Sequence, residues 1–152
     1  MFFKKKNPAV QVNAVSLNKD YAFMYENFII SGQRDLYLLL EQTDDVIDLL
    51  HFEFLVYKYG YPNDEVSHPL SDQGLYAYGL YEVMHSPWIT ELKDQNRQHH
   101  RHTDSSFQNY KHYIARFKDV TLEVICTQMD ERKMTKAELL KIIDAQIRHL
   151  SP

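Results

Sequence analysis

Cysteine is nearly missing from this chain, and its scarcity narrows the field at once. Cys126 stands alone, so no disulfide can form within the chain and no Cys-x-x-Cys metal or redox motif exists. A fold that needs no disulfide suits a reducing compartment, which points to the cytoplasm. Glycine is scarce too, with four in 152 residues. None is clustered as a phosphate-cradling or dinucleotide-binding turn requires, so nucleotide binding of those kinds is not expected. Neither His-Glu-x-x-His nor Gly-x-Ser-x-Gly occurs. No apolar run approaches the roughly 20 residues that span a bilayer. The opening Met1-Phe2-Phe3-Lys4-Lys5-Lys6 has no apolar stretch after its lysines, so no signal peptide is expected. Internal repeats, biased tracts and linkers are also absent. The expectation is one globular domain over 1–152, with 1–15 as a loose lead-in.

What the chain does have is tyrosine. Eleven Tyr and eight Phe stand beside a single Trp. Tyrosine buries a ring while keeping its hydroxyl wet, which suits half-buried sheet faces and contact surfaces. The formal charge of −4 is unevenly spread. Residues 20–65 hold ten acidic side chains against Arg34 and Lys58, a balance of −8. Residues 93–118 hold six basic side chains against Asp94 and Asp104, a balance of +4. Two such halves either pair with each other or steer a charged partner.

Local patterns give the elements. Val10, Val12 and Ala14 alternate with polar residues, as in a short edge strand. Leu17, Tyr21, Met24 and Phe28 recur at helical spacing before Ser31-Gly32, predicting a first helix. Leu36, Leu39 and Leu40, then Thr43-Asp44-Asp45 ahead of Val46, Ile47 and Leu50, predict two short helices within 34–50. His51 to Tyr61 and Leu75 to Val83 read as strands, separated by a loop. Ser86-Pro87 marks a helix start, serine as cap and proline where its missing N–H costs nothing. Tyr113, Ala115 and Phe117 answer Val120, Leu122, Val124 and Cys126 across a hairpin. Thr135-Lys136-Ala137-Glu138 is a capping box opening a helix striped with Leu139, Ile142, Ile143, Ile147 and Leu150. The fold class expected is α+β: a mainly antiparallel sheet of four or five strands, with helices packed on one face and at the ends.

Three kinds of function remain to be weighed. Imidazole is the commonest neutral metal ligand, so His100, His102 and His112 form a candidate site for zinc or another divalent metal, within a His99–His112 cluster. Its setting, Gln98 to Asp104, is polar throughout and offers no apolar frame to orient the rings. Nucleic-acid binding would use the basic and aromatic residues of 97–118, but the acidic balance of the whole chain argues against it. Cys126 on a strand reads as a buried, inert thiol, and Ser86 as a cap. With no catalytic motif and no cofactor called for, the expectation is a non-enzymatic module that binds a protein, in the manner of an immunity protein, an antitoxin or an adaptor. Its candidate binding residues are Asp44, Asp45, Asp48, Tyr57, Tyr59, Arg101 and Tyr110. Oligomeric state is left open.

Overall fold

A computed structural model describes residues 9–25, 27–63, 66–150 and 152. Residues 1–8 of the expected lead-in lie outside this set, as do the acidic residues Glu26, Asp64 and Glu65. Seven strands form one antiparallel sheet: β1 (Gln11–Ala14), β2 (Phe28–Ser31), β3 (Asp35–Thr43), β4 (Val46–Gly60), β5 (Gly79–Met84), β6 (Lys111–Arg116) and β7 (Thr121–Thr135). Their spatial order is β1-β5-β6-β7-β4-β3-β2. Two helices complete the described regular structure apart from short 3-10 turns, α1 (Pro87–Asn96) and α2 (Lys136–Arg148). The α+β expectation of four or five strands is therefore overturned. The described residues are dominated by β-structure, with seven strands and two short helices.

The difference arises in two places. Residues 34–50 do not form helices: Asp35–Thr43 and the start of β4 pair as a hairpin through Asp44-Asp45. Asp44 takes φ +54°, a left-handed conformation that aspartate tolerates better than most residues. The acids that resemble a helix cap are thus a strand turn. The described residues of 17–28 do not form a helix either. Val15, Leu17, Tyr21 and Phe23 run as an extended strap across one sheet face, from the β1 edge towards β2. Val15 donates to the Leu80 carbonyl at 2.9 Å, and Phe23 turns through φ +48°, which no helix accommodates.

β4 and β7, fifteen residues each, are the spine of the sheet. On the face under the strap, Leu36, Leu38, Leu50, Phe52, Tyr113, Leu122, Val124 and Cys126 build the main core with Phe23. The other face has two smaller cores. α2 covers Ile47, Leu49 and Met134 with Leu139, while Leu70 and Leu75 of the β4–β5 connection pack on Val12, Tyr81, Val83 and Ile114. Where local signals were strongest, the elements form as expected. The Ser86 hydroxyl accepts the Ile89 N–H at 3.2 Å, and the Thr135 hydroxyl oxygen accepts the Glu138 N–H at 3.1 Å. Tyr113 pairs with Val124 and Ala115 with Leu122. No helix among the described residues is long and apolar enough to cross a membrane.

Candidate functional site

Two features hold polar chemistry or exposed aromatic surface in a defined arrangement. The first is a chain of buried polar groups on the sheet face that the start of α1 meets. His112 on β6 and Glu123 on β7 project from the same face, as diagonal neighbours across the antiparallel pair. His112 Nε2 lies 3.0 Å from Glu123 Oε1, and Nδ1 lies 2.7 Å from Ser86 Oγ. His68, brought in by the β4–β5 connection, places Nε2 3.1 Å from Glu123 Oε2. Leu70 N–H donates to His68 Nδ1 at 3.0 Å. The Trp88 ring stands edge-on to His112 at 5.5 Å, with Lys58 Nζ 3.9 Å above its centre.

Hydrogen-bond accounting assigns the protons. His68 Nδ1 accepts from Leu70, so Nε2 carries the hydrogen given to Glu123. The Glu123 carboxylate can only accept, so His112 Nε2 carries the hydrogen given to it; in the neutral ring Nδ1 then takes the Ser86 hydroxyl hydrogen, while the Ser86 oxygen accepts from Ile89. The carboxylate therefore receives two N–H donors. Burial pushes the Glu123 carboxyl up, but the hydrogen bonds from His112 and His68 outweigh it and hold the group down at about 2. Ser86, His112 and Glu123 resemble a nucleophile–base–acid series in their order. However, Ser86 is buried and its oxygen is engaged as the cap of α1. What the chain of bonds does is lock α1 and the β4–β5 connection onto the sheet with every buried polar atom satisfied; among the described residues, no buried side-chain nitrogen or oxygen lacks a partner.

The expected histidine ligands are dispersed. His100 is exposed and its ring stacks on His99 at 4.7 Å. His102 meets the Asn96 amide through Nδ1 and Asp104 through Nε2, at 2.8 and 2.6 Å. Arg97 joins the same carboxylate, and hydrogen bonds from His102 and Arg97 hold Asp104 down at about 2. His112 is the buried residue just described. Among the described residues, no three His, Cys, Asp or Glu side chains gather where they could hold a metal ion.

The expected binding residues are scattered as well. Asp44 and Asp45 are exposed in the β3–β4 turn, where the Asp45 carbonyl accepts the Lys136 N–H. Asp48 is not on the surface. It is 3% exposed, with Lys133 at 3.3 Å and Lys19 of the strap at 3.6 Å. Its expected place on a docking face is thus corrected: it ties the strap down, together with the Lys19–Glu41 pair. Asp48→Ala should lower stability in urea by about 1–2 kcal/mol, since both lysines stay solvated when it goes. Tyr57 is half-buried, its hydroxyl 2.6 Å from Ser31 Oγ. Tyr110 is half-buried against Phe107 at 5.3 Å, and Arg101 is exposed in the histidine-rich loop.

Tyr59 belongs to the second feature. Gly79, Arg116, Thr121 and Gly60 are successive cross-strand partners, so β5, β6, β7 and β4 end flush. Around this end lie the exposed side chains of Met24, Tyr25, Tyr59, Tyr61, Tyr76 and Tyr78. They are fixed from below. Arg116 donates to the Leu75 carbonyl, Thr121 to the Pro62 carbonyl, and the Lys118 N–H to the Met24 carbonyl. Sequence reasoning found Tyr59 but not Tyr61 or Tyr76, which sit in loops that only the sheet register brings together. Compared with known protein families, with curated proteins and with solved structures, the chain matches none.

Proposed function

We propose that this protein is a non-enzymatic binding module that engages another protein through the tyrosine-rich end of its sheet. The observation that carries this is the gathering of Met24, Tyr25, Tyr59, Tyr61, Tyr76 and Tyr78, from three separate segments, on a rim where four strands end in line. Tyrosine supplies large contact area at low entropic cost and is enriched among interface hot spots. A rim braced by side-chain and main-chain bonds presents such residues with little left to order on association. Cys126, the lone thiol, is buried, in keeping with a cytoplasmic protein that needs no disulfide.

Tyr61 and Tyr76 are the most exposed members, at 75% and 77%. A photo-crosslinking residue at position 61 should capture a discrete protein that the same residue at His99 does not. Against that captured protein, Tyr61→Ala with Tyr76→Ala should weaken affinity about 10-fold or more, with the melting temperature held within a few degrees. Equal affinity for the double variant would count against this rim as the contact surface.

A further inference from the structure

We infer that the hollow between α2 and the β2–β3 turn is a binding site for a medium-chain aliphatic carboxylate, independent of the tyrosine rim. The hollow measures about 480 Å³, within the range of small-molecule sites, which are mostly apolar with a few placed polar groups. Its apolar wall is Ile30 from β2 and Ile142, Ile143, Ile147 and Leu150 from the outer turns of α2 and beyond. α2 uses Leu139 to close the core beneath, with Ile142 and Ile143 only partly buried against it, and Ile147 and Leu150 remain mostly exposed. The last two turns thus extend an aliphatic surface past the core that the helix covers.

Arg34 is the one cationic side chain among the described residues that line the hollow. It lies in the tight turn closed by the Gly32 N–H donating to the Asp35 carbonyl, and its own carbonyl accepts the Phe54 N–H. The base of the side chain is therefore fixed at the mouth. Four other guanidinium groups are engaged: Arg97 with Asp94 and Asp104, Arg116 with the Leu75 carbonyl, Arg132 with Asp130 and Arg148 with Asp144; Arg101 stands exposed in the histidine-rich loop and does not line this hollow. Among the described residues, none holds the Arg34 guanidinium in an ion pair or hydrogen bond. Asp35 also lines the hollow, but its Oδ1 is 2.7 Å from His51 Nε2, so the imidazole occupies that oxygen. A planar, unengaged guanidinium beside an aliphatic trough matches a carboxylate head on an alkyl tail. Arginine offers two parallel N–H donors to the carboxylate, and the tail gains by leaving water along the isoleucines.

The probe is decanoate, titrated below its micelle concentration and followed by nuclear magnetic resonance. Saturable shifts are expected at Ile30, Tyr37, Ile143 and Ile147. Arg34→Gln should weaken binding about 10-fold, and decanol should bind the native protein about 10-fold more weakly than decanoate. Ile147→Glu, at an exposed position, should abolish binding while leaving the melting temperature unchanged. Shifts elsewhere, no saturation, equal binding of decanol and decanoate, or unaltered affinity in Arg34→Gln would each overturn the assignment. So would binding confined to a peptide ending in leucine, with decanoate inert.

Discussion

Glu123→Gln should cost the fold about 3 kcal/mol at pH 7, although the two side chains differ by little more than an oxygen and a nitrogen. The carboxylate takes one N–H from His112 and one from His68. Glutamine can accept only one of them through its carbonyl, and its NH2 then confronts the other N–H. That histidine must shift its proton to Nδ1. At His68 this sets two donors, the ring and the Leu70 N–H, against each other. At His112 it leaves the Ser86 hydroxyl hydrogen without its acceptor. Losing one hydrogen bond to a charged acceptor, worth about 1.5–3 kcal/mol, reducing the other to a neutral bond and stranding a buried donor together outweigh the lower desolvation cost of a neutral side chain.

The pH dependence separates this mechanism from simple mispacking. Glu123 is held at about 2 in the fold against 4.5 without its partners. As pH falls, the unfolded chain takes up that proton before the folded one does. The contribution of Glu123 is therefore complete above about pH 4.5 and is lost as pH falls towards 2. Each unit of difference corresponds to about 1.4 kcal/mol, consistent with the 3 kcal/mol expected at neutral pH. Urea denaturation of native protein and variant between pH 2 and 7 should show the gap closing across that acid window. A gap independent of pH would mean that the carboxylate charge contributes nothing.

Gly74→Ala is the second large effect, about 3 kcal/mol, and it acts on β1. Gly74 adopts φ +117°, a region that residues with a side chain rarely enter, and a Cβ there would lie 2.8 Å from the Val12 carbonyl oxygen. The obstacle is main chain, and it belongs to the edge strand that pairs only with β5. The least costly relief is for β1 to move away. Amides of Asn13 and Val15, which face β5, should then lose hydrogen-exchange protection ahead of the sheet centre. Gly60→Ala is the control, because φ there is +129° but no atom lies within 4 Å of the added carbon. It should cost about 1 kcal/mol from backbone strain alone. Equal losses at the two positions would show that the approach to Val12 has no energetic consequence.

The parts of this fold that local chemistry specifies were legible from residues alone. The caps at Ser86 and Thr135 and the alternation on either side of Lys118-Asp119 each lie within a few residues, and each forms. The strap was not legible, because Leu17 and Tyr21 repeat at helical spacing yet reach the same core from an extended chain. The β3–β4 hairpin was missed because Asp44-Asp45 serves equally well as a helix cap or as a strand turn. Pairing with β7 decides between them, and β7 is some 80 residues away. The buried polar chain left still less trace. Glu123 alternates with Leu122 and Val124 as a solvated residue would, and its partners His68, Ser86 and His112 come from three other segments. Only burial on both sides of the sheet gives such a carboxylate its role.

Ser86, His112, Glu123 and His68 bond α1 and the β4–β5 connection to the sheet, Asp48 holds the strap, and the proposed function assigns recognition to the tyrosine rim. The direct test is the affinity of the protein captured at position 61 for two variants, Glu123→Gln and Tyr61→Ala/Tyr76→Ala, at a temperature where both remain folded. Glu123→Gln should bind as the native protein does, and the tyrosine variant about 10-fold or more weakly. A folded Glu123→Gln that loses its partner, beside a tyrosine variant that keeps it, would contradict this division and return the working surface to the histidine–glutamate chain.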